Sequence, residues 1–129
     1  MTEDDRFTIA RDASGSLIRY AVRGFWDEAT VDRFCRALEA EVVRASIGGR
    51  RPRVLADATG FAVQRPIVAK AFETAMFRTI VPRVDRLAIL VGSALAKLQV
   101  ERGAVGPNLR TFLNEAEALA WLNAETSSQ

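Results

Sequence analysis

The 129-residue chain has no histidine and a single cysteine. Without histidine it lacks the commonest general base near neutral pH. It also lacks the imidazole that zinc, copper and iron sites usually employ, so a metal would need an all-carboxylate site. The acidic residues are scattered along helix faces, so neither a metal nor a cofactor is expected. One cysteine excludes an intramolecular disulfide framework and fits a reducing compartment. No apolar run approaches the roughly 18–20 residues needed to span a bilayer. The opening Met1-Thr2-Glu3-Asp4-Asp5-Arg6 is acidic and polar, unlike the basic-then-apolar start of a signal peptide. These features lead us to expect a cytoplasmic domain. An excess of one charge sign is missing too, with 18 Lys and Arg against 16 Asp and Glu. A nucleic-acid binder needs a concentrated basic face; Arg50, Arg51 and Arg53 around Pro52 read instead as a solvated loop.

What is present is an alternation of strand and helix patterns within a length that fits one domain. Phe7 to Arg11 and Leu17 to Arg23 flank the turn-rich Asp12-Ala13-Ser14-Gly15-Ser16, a hairpin signature. Ile18, Tyr20 and Val22 form the apolar face of its second strand. Asp27 caps a helix whose stripe is Val31, Phe34, Cys35, Leu38 and Val42, and Gly48-Gly49 stops it. Val54 to Ala58 predicts a central strand. Pro66 opens a second helix and Pro82 ends it. Leu87 to Val91 predicts the clearest buried strand, and Ser93 caps a helix running to Gly103. Leu109 to Phe112 is a short last strand. Asn114 with Glu117 three residues later starts the last helix, Glu115 to Asn123. The expected fold is α/β: one domain over residues 1–125 with a frayed tail at 126–129. It holds about five strands in a mixed, mostly parallel sheet with an N-terminal antiparallel hairpin, and about four helices, in the order ββαβαβαβα. Each parallel crossover is expected to be right-handed.

The chemistry-bearing residues are few. Cys35 lies in an apolar stripe and reads as a core thiol. Ser14 and Ser16 read as turn residues. Gly103-Ala104-Val105-Gly106-Pro107-Asn108 precedes a strand, which is the wrong context for a phosphate-binding loop. Asp57 ends the central strand, where it either caps the amides of Thr59 and Gly60 as an Asx-turn, the favoured reading, or accepts from a ligand or partner. Gln64 and Arg65 at one helix entry, and Ser93 at another, form a candidate rim if the sheet order joins their loops. Gln99 and Arg102 share a helix face that either adds donors to that rim or is merely solvated. The helix from Pro66 carries more apolar residues than one stripe requires: Ile67, Phe72, Met76, Phe77 and Ile80. That surplus is a candidate surface for a second subunit or an apolar ligand, the alternative being ordinary core. Trp26 and Trp121 default to core.

Gly24-Phe25-Trp26, Val54-Leu55-Ala56-Asp57, Leu87-Ala88-Ile89-Leu90-Val91 and the closing run Phe112 to Leu122 resemble the STAS-like, SpoIIAA-like superfamily. The likeness is to bacterial STAS/SEC14-type proteins in particular. The resemblance spans nearly the whole chain and implies that superfamily's fold. Its classical members are anti-sigma-factor antagonists, switched by phosphorylation of a serine near the start of the helix after the central strand. The corresponding stretch here, Ala62-Val63-Gln64-Arg65-Pro66, contains no hydroxyl group. The expected function is therefore a non-enzymatic regulatory or protein-interaction module without that phosphorylatable serine. The alternative is a carrier or sensor of a small apolar or acyl ligand, as in SEC14-like proteins; a hydrolase or transferase is a distant third. An unidentified protein, a small apolar ligand or a second copy of the chain are the partners in view. The apolar surplus divides the two main readings: a closed cavity favours the ligand, and a flat patch that meets another chain favours the partner.

Overall fold

A computed structural model describes residues 2–3, 5–103 and 106–124; the 126–129 tail, and residues 104–105 of the glycine-containing loop, lie outside them. Among the described residues the sheet has six strands: β1 (Thr2–Glu3), β2 (Phe7–Arg11), β3 (Leu17–Gly24), β4 (Arg53–Phe61), β5 (Arg86–Leu90) and β6 (Leu109–Phe112). They lie side by side in chain order. The first three are antiparallel, and β3 to β6 are parallel. The expected hairpin is β2–β3; two-residue β1 adds an edge that its polar sequence did not signal. The helices are α1 (Glu28–Ala45), α2 (Pro66–Ala75), α3 (Ala94–Gly103) and α4 (Glu115–Asn123).

Alternation along the strands builds two apolar layers. Ile18, Tyr20, Val22, Val54, Ala56 and Leu87 face α1 and α2, while Leu55, Ala88 and Leu90 pack with Phe112 against Ala118 and Leu122 of α4. The α1 stripe is buried throughout, each large side chain contributing about 1.5–3 kcal/mol relative to exposure. Cys35 lies within it, and burial, reinforced by Asp32 and Glu39, pushes its thiol up to about 12. It is a core residue, not a nucleophile. Asp32 pairs with Arg36 at 2.9 Å on the wet side, and Gly48 and Gly49 end the segment at φ 90° and 84°.

Caps fall where expected. Asn114 accepts from the Glu117 amide at 3.1 Å and Ser93 Oγ from the Ala96 amide at 3.0 Å. Asp27 Oδ1 accepts from the Thr30 hydroxyl at 2.7 Å and the Thr30 amide at 2.8 Å. The Thr30 hydroxyl, then its amide, hold the Asp27 carboxyl below its ordinary 3.8. Because the folded value is depressed, the stabilisation is present above the unfolded value and lost as pH falls through the folded one. Asp27→Asn keeps a cap but no charge, so it should flatten the loss of stability as pH falls below about 4. Urea midpoints across that range check this; an unaltered slope would contradict it.

Two departures from the expected elements shape the site. The central strand does not stop at Ala58 but runs to Phe61 through a bulge: Ala21 pairs with Asp57, yet Arg23 pairs with Gly60. The second helix does not continue regularly to Pro82. After Ala75 it widens into a π-helical turn, Met76–Ile80, and then a 3₁₀ turn, Val81–Arg83. The Val81 amide bonds back to Met76 five residues earlier. Pro82 has no amide to continue an α-ladder, so the chain changes its winding on approaching it.

Candidate functional site

With strands in chain order, the loops after β3, β4 and β5 lie next to one another at the carboxyl edge. The β3 and β4 exits are joined by the Ala62 amide bonding to Gly24 C=O at 3.3 Å. The β4 and β5 exits nearly touch, since a Cβ on Gly92 would lie 3.4 Å from the Thr59 carbonyl oxygen. The sheet thus brings the loops bearing Gln64, Arg65 and Ser93 to one edge, while Asp57 lies within β4, at its bulge.

Asp57 is occupied locally. Its Oδ1 accepts from the Thr59 amide at 3.0 Å and hydroxyl at 2.6 Å. The Asx-type reading therefore holds for Thr59, with the contact inside the bulge rather than in an exit loop. Gln64 is more heavily engaged. Its Oε1 accepts from the Trp26 amide at 2.8 Å, while Nε2 donates to Gly24 C=O at 2.8 Å and Ala62 C=O at 2.7 Å. This side chain clasps the β3 exit to the β4 exit, a role that a polar residue in a loop does not advertise in sequence. Ser93 is an exposed helix cap. Arg65 and Arg102 are exposed and make no side-chain hydrogen bond or ion pair among the described residues.

The five apolar residues predicted on the second helix separate into three groups. Ile67 points to solvent, 58% exposed, and Ile80 is wholly buried core. Phe72, Met76 and Phe77 line a cavity of about 360 Å³. That volume lies within the roughly 300–1,000 Å³ of ligand pockets. Its floor is Tyr20, Val22, Leu87, Ile89 and Leu109; its mouth includes Ala62, Val63 and Gln64; and its far wall is Ala96, Gln99 and Val100 of α3. Ala69, Phe72 and Glu73 of α2, with Met76 and Phe77 of the π-helical turn, make the near wall. α3 forms the opposite wall of this half-open pocket without being core: none of its described side chains is buried, and Leu95 and Leu98 are 66% and 55% exposed. Gln99, but not Arg102, belongs to this lining.

Sequence reasoning missed Glu73. It is half-buried and is the only charged residue among those lining the pocket. No side-chain hydrogen bond or ion pair engages it among the described residues. The available signal was a carboxylate interrupting Ala69, Phe72, Met76, Phe77 and Ile80, spaced as one helix face. Tyr20 was read only as a strand residue. It is 5% exposed and lines the same cavity, and its hydroxyl has no hydrogen-bond partner among the described residues. Burial raises that phenol well above its ordinary value.

A larger hollow of about 710 Å³ opens at the opposite edge, lined by Arg11, Arg44, Arg50, Arg51 and Arg53. Most of its charge is engaged. Glu41 holds Arg11 and Arg44 at 2.9 and 2.8 Å, Asp85 holds Arg53 at 3.4 Å, and Arg51 donates to Pro82 C=O. Arg50 and Arg51 lie in an exposed loop, as expected, whereas Arg53 is the half-buried first residue of β4. Trp26 is buried core, donating to Arg23 C=O at 2.9 Å. Trp121 lies under Arg86 and Arg110 on the α4 side. Among the described residues no His, Cys, Asp or Glu cluster is set to hold a metal, and no helix is long and apolar enough to cross a membrane.

No protein-family model matches the chain, and neither does any curated protein. Solved structures do match. One is an uncharacterized protein of the DUF3478 family with a SpoIIAA-like fold from Shewanella loihica PV-4. It is 18% identical, with 95% of this chain and 98% of that one covered at a TM-score of 0.66. Another is an anti-sigma factor antagonist from Mycobacterium paratuberculosis, 11% identical, with 96% and 100% covered at a TM-score of 0.63. Both likenesses run nearly end to end, and the fold of this chain is SpoIIAA-like.

Proposed function

We propose that this chain is a non-enzymatic binding module whose pocket, between the π-helical turn and α3, takes a small apolar ligand at the carboxyl edge of the sheet. The observation that carries this reading is where the apolar surplus of the second helix goes. Phe72, Met76 and Phe77 line a concave, half-open pocket, which supports a ligand more than a bare interaction surface. The non-enzymatic part is supported by the absence of histidine, the buried thiol of Cys35 and the local engagement of Asp57 and Ser93.

A regulatory role through a protein partner is the second reading, and one observation favours it. Phe25, Val63, Ile67, Leu95, Leu98 and Leu113 are exposed large apolar side chains, and all follow the carboxyl ends of β3 to β6. Ligand and partner would then meet at one edge. The stretch from Ala62 to Pro66 offers no phosphate acceptor, so in this proposal occupancy of the pocket replaces phosphorylation as the signal.

Titration with octanol, followed by tryptophan fluorescence or calorimetry, tests the pocket. Ala96→Phe places a ring in the α3 wall, where Ala96 is half-buried, and should weaken octanol binding by about tenfold or more. Because α3 contributes no buried side chain, its thermal midpoint should move little. Equal octanol affinity in the two proteins would contradict the assignment.

A further inference from the structure

We infer that the ligand of this pocket is an apolar amine, held by Glu73 and the surrounding aromatic rings rather than bound as a fatty acid. The inference rests on the pocket reading above and names the head group that the lining selects.

Three observations converge. The lining has one formal charge, the Glu73 carboxylate, and no cation to neutralise it. An apolar surround strengthens the attraction of that carboxylate for an ammonium and its repulsion of a second carboxylate. Four aromatic side chains, Tyr20, Phe61, Phe72 and Phe77, share the lining, and ring faces attract cations in desolvated sites. The Tyr20 hydroxyl has no hydrogen-bond partner among the described residues, where no buried side-chain polar atom is unsatisfied, so its oxygen is accessible in a residue that lines the pocket. It supplies an acceptor for an ammonium N–H.

The wider charge distribution argues the other way, which sharpens the test. The whole chain carries a net charge of +2, and the exposed Arg65, at the entry of α2 on the carboxyl edge, has no side-chain partner among the described residues. Non-specific electrostatics would therefore favour an anionic amphiphile. Preference for an amine has to come from the pocket.

The experiment compares octylamine, octanol and octanoate, one chain length with three head groups, by calorimetric titration at pH 7. It uses the full chain and its Glu73→Gln, Glu73→Lys and Tyr20→Phe variants, with a melting curve for each to show folding. The native protein should bind octylamine about tenfold or more tighter than octanoate, the size expected of a charge-assisted hydrogen bond. Glu73→Gln should remove most of that preference while leaving octanol affinity within about twofold. Glu73→Lys should reverse the preference, and Tyr20→Phe should weaken octylamine more than octanol. Octanol binding without discrimination between amine and carboxylate, or discrimination that survives Glu73→Gln, would overturn this inference and leave the pocket standing. Failure of all three probes to bind would overturn both.

Discussion

Phe34→Ala should destabilise the fold by about 3–5 kcal/mol, the cost of truncating a fully buried ring. Phe34 is 0% exposed. Its ring centroid lies 5.3 Å from Phe7, 4.9 Å from Tyr20, 5.3 Å from Trp26 and 5.7 Å from Phe72. Three of these contacts are edge-on and the Phe72 contact is stacked at 13°. Such pairs add about 0.5–1.5 kcal/mol each beyond simple burial. A domain of this size typically has about 5–15 kcal/mol of stability in all, so the variant should be close to unfolding. The effect reaches the site because Phe72, stacked on Phe34, is also a pocket wall. Urea unfolding should show a lower midpoint at unchanged slope. Phe34→Leu, which keeps much of the volume, should lose less. A loss below about 1 kcal/mol for the alanine variant would show that these rings do not fill the centre of the core.

Gln64→Ala should cost about 2–3 kcal/mol, large for a half-buried loop residue. The expectation follows from its three bonds, to the Trp26 amide and to the carbonyls of Gly24 and Ala62. Each is worth about 0.5–1.5 kcal/mol net, and a backbone group left dry costs about 1–3 kcal/mol. Partial access to water keeps the total below the sum of three full penalties. Gln64→Glu separates the two functions of the amide. It keeps an acceptor for Trp26 but sets a carboxylate against two carbonyl oxygens, so it should not rescue stability. Amide exchange of Trp26 should accelerate in the alanine variant well before global unfolding. An unperturbed midpoint and unaltered Trp26 exchange would show that the two strand exits hold together without Gln64.

The helices were the legible part of the sequence. The stripe from Val31 to Val42, the caps at Asp27, Ser93 and Asn114, and the stop at Gly48-Gly49 are local patterns with local causes. The central strand was read three residues short because Thr59 and Gly60 are turn formers. The bulge beside Asp57 accommodates them within the ladder. The second helix was read as one face of a regular helix, and that assumption failed at Met76. A π-helical turn changes the angle between successive residues, so Phe77 lines the cavity while Ile80 enters the core; Ile67 precedes that turn and is exposed on the other side of the regular helix. Gln64 was legible as polar but not as a clasp, because its partners Gly24 and Trp26 lie 40 and 38 residues away. Glu73 and Tyr20 acquire meaning only when β3, the π-helical turn and α3 surround the same cavity.

The most direct test of the ligand-binding account is a residue-resolved one: amide chemical shifts of the isotopically labelled chain during an octanol titration. The account predicts saturable changes centred on the pocket lining: Tyr20 and Val22, Phe61–Gln64, Phe72–Phe77, Leu87–Val91, Ala96–Val100 and Leu109. Changes centred on the arginine-lined hollow at Arg44 to Arg53, or no saturable change at all, would contradict it.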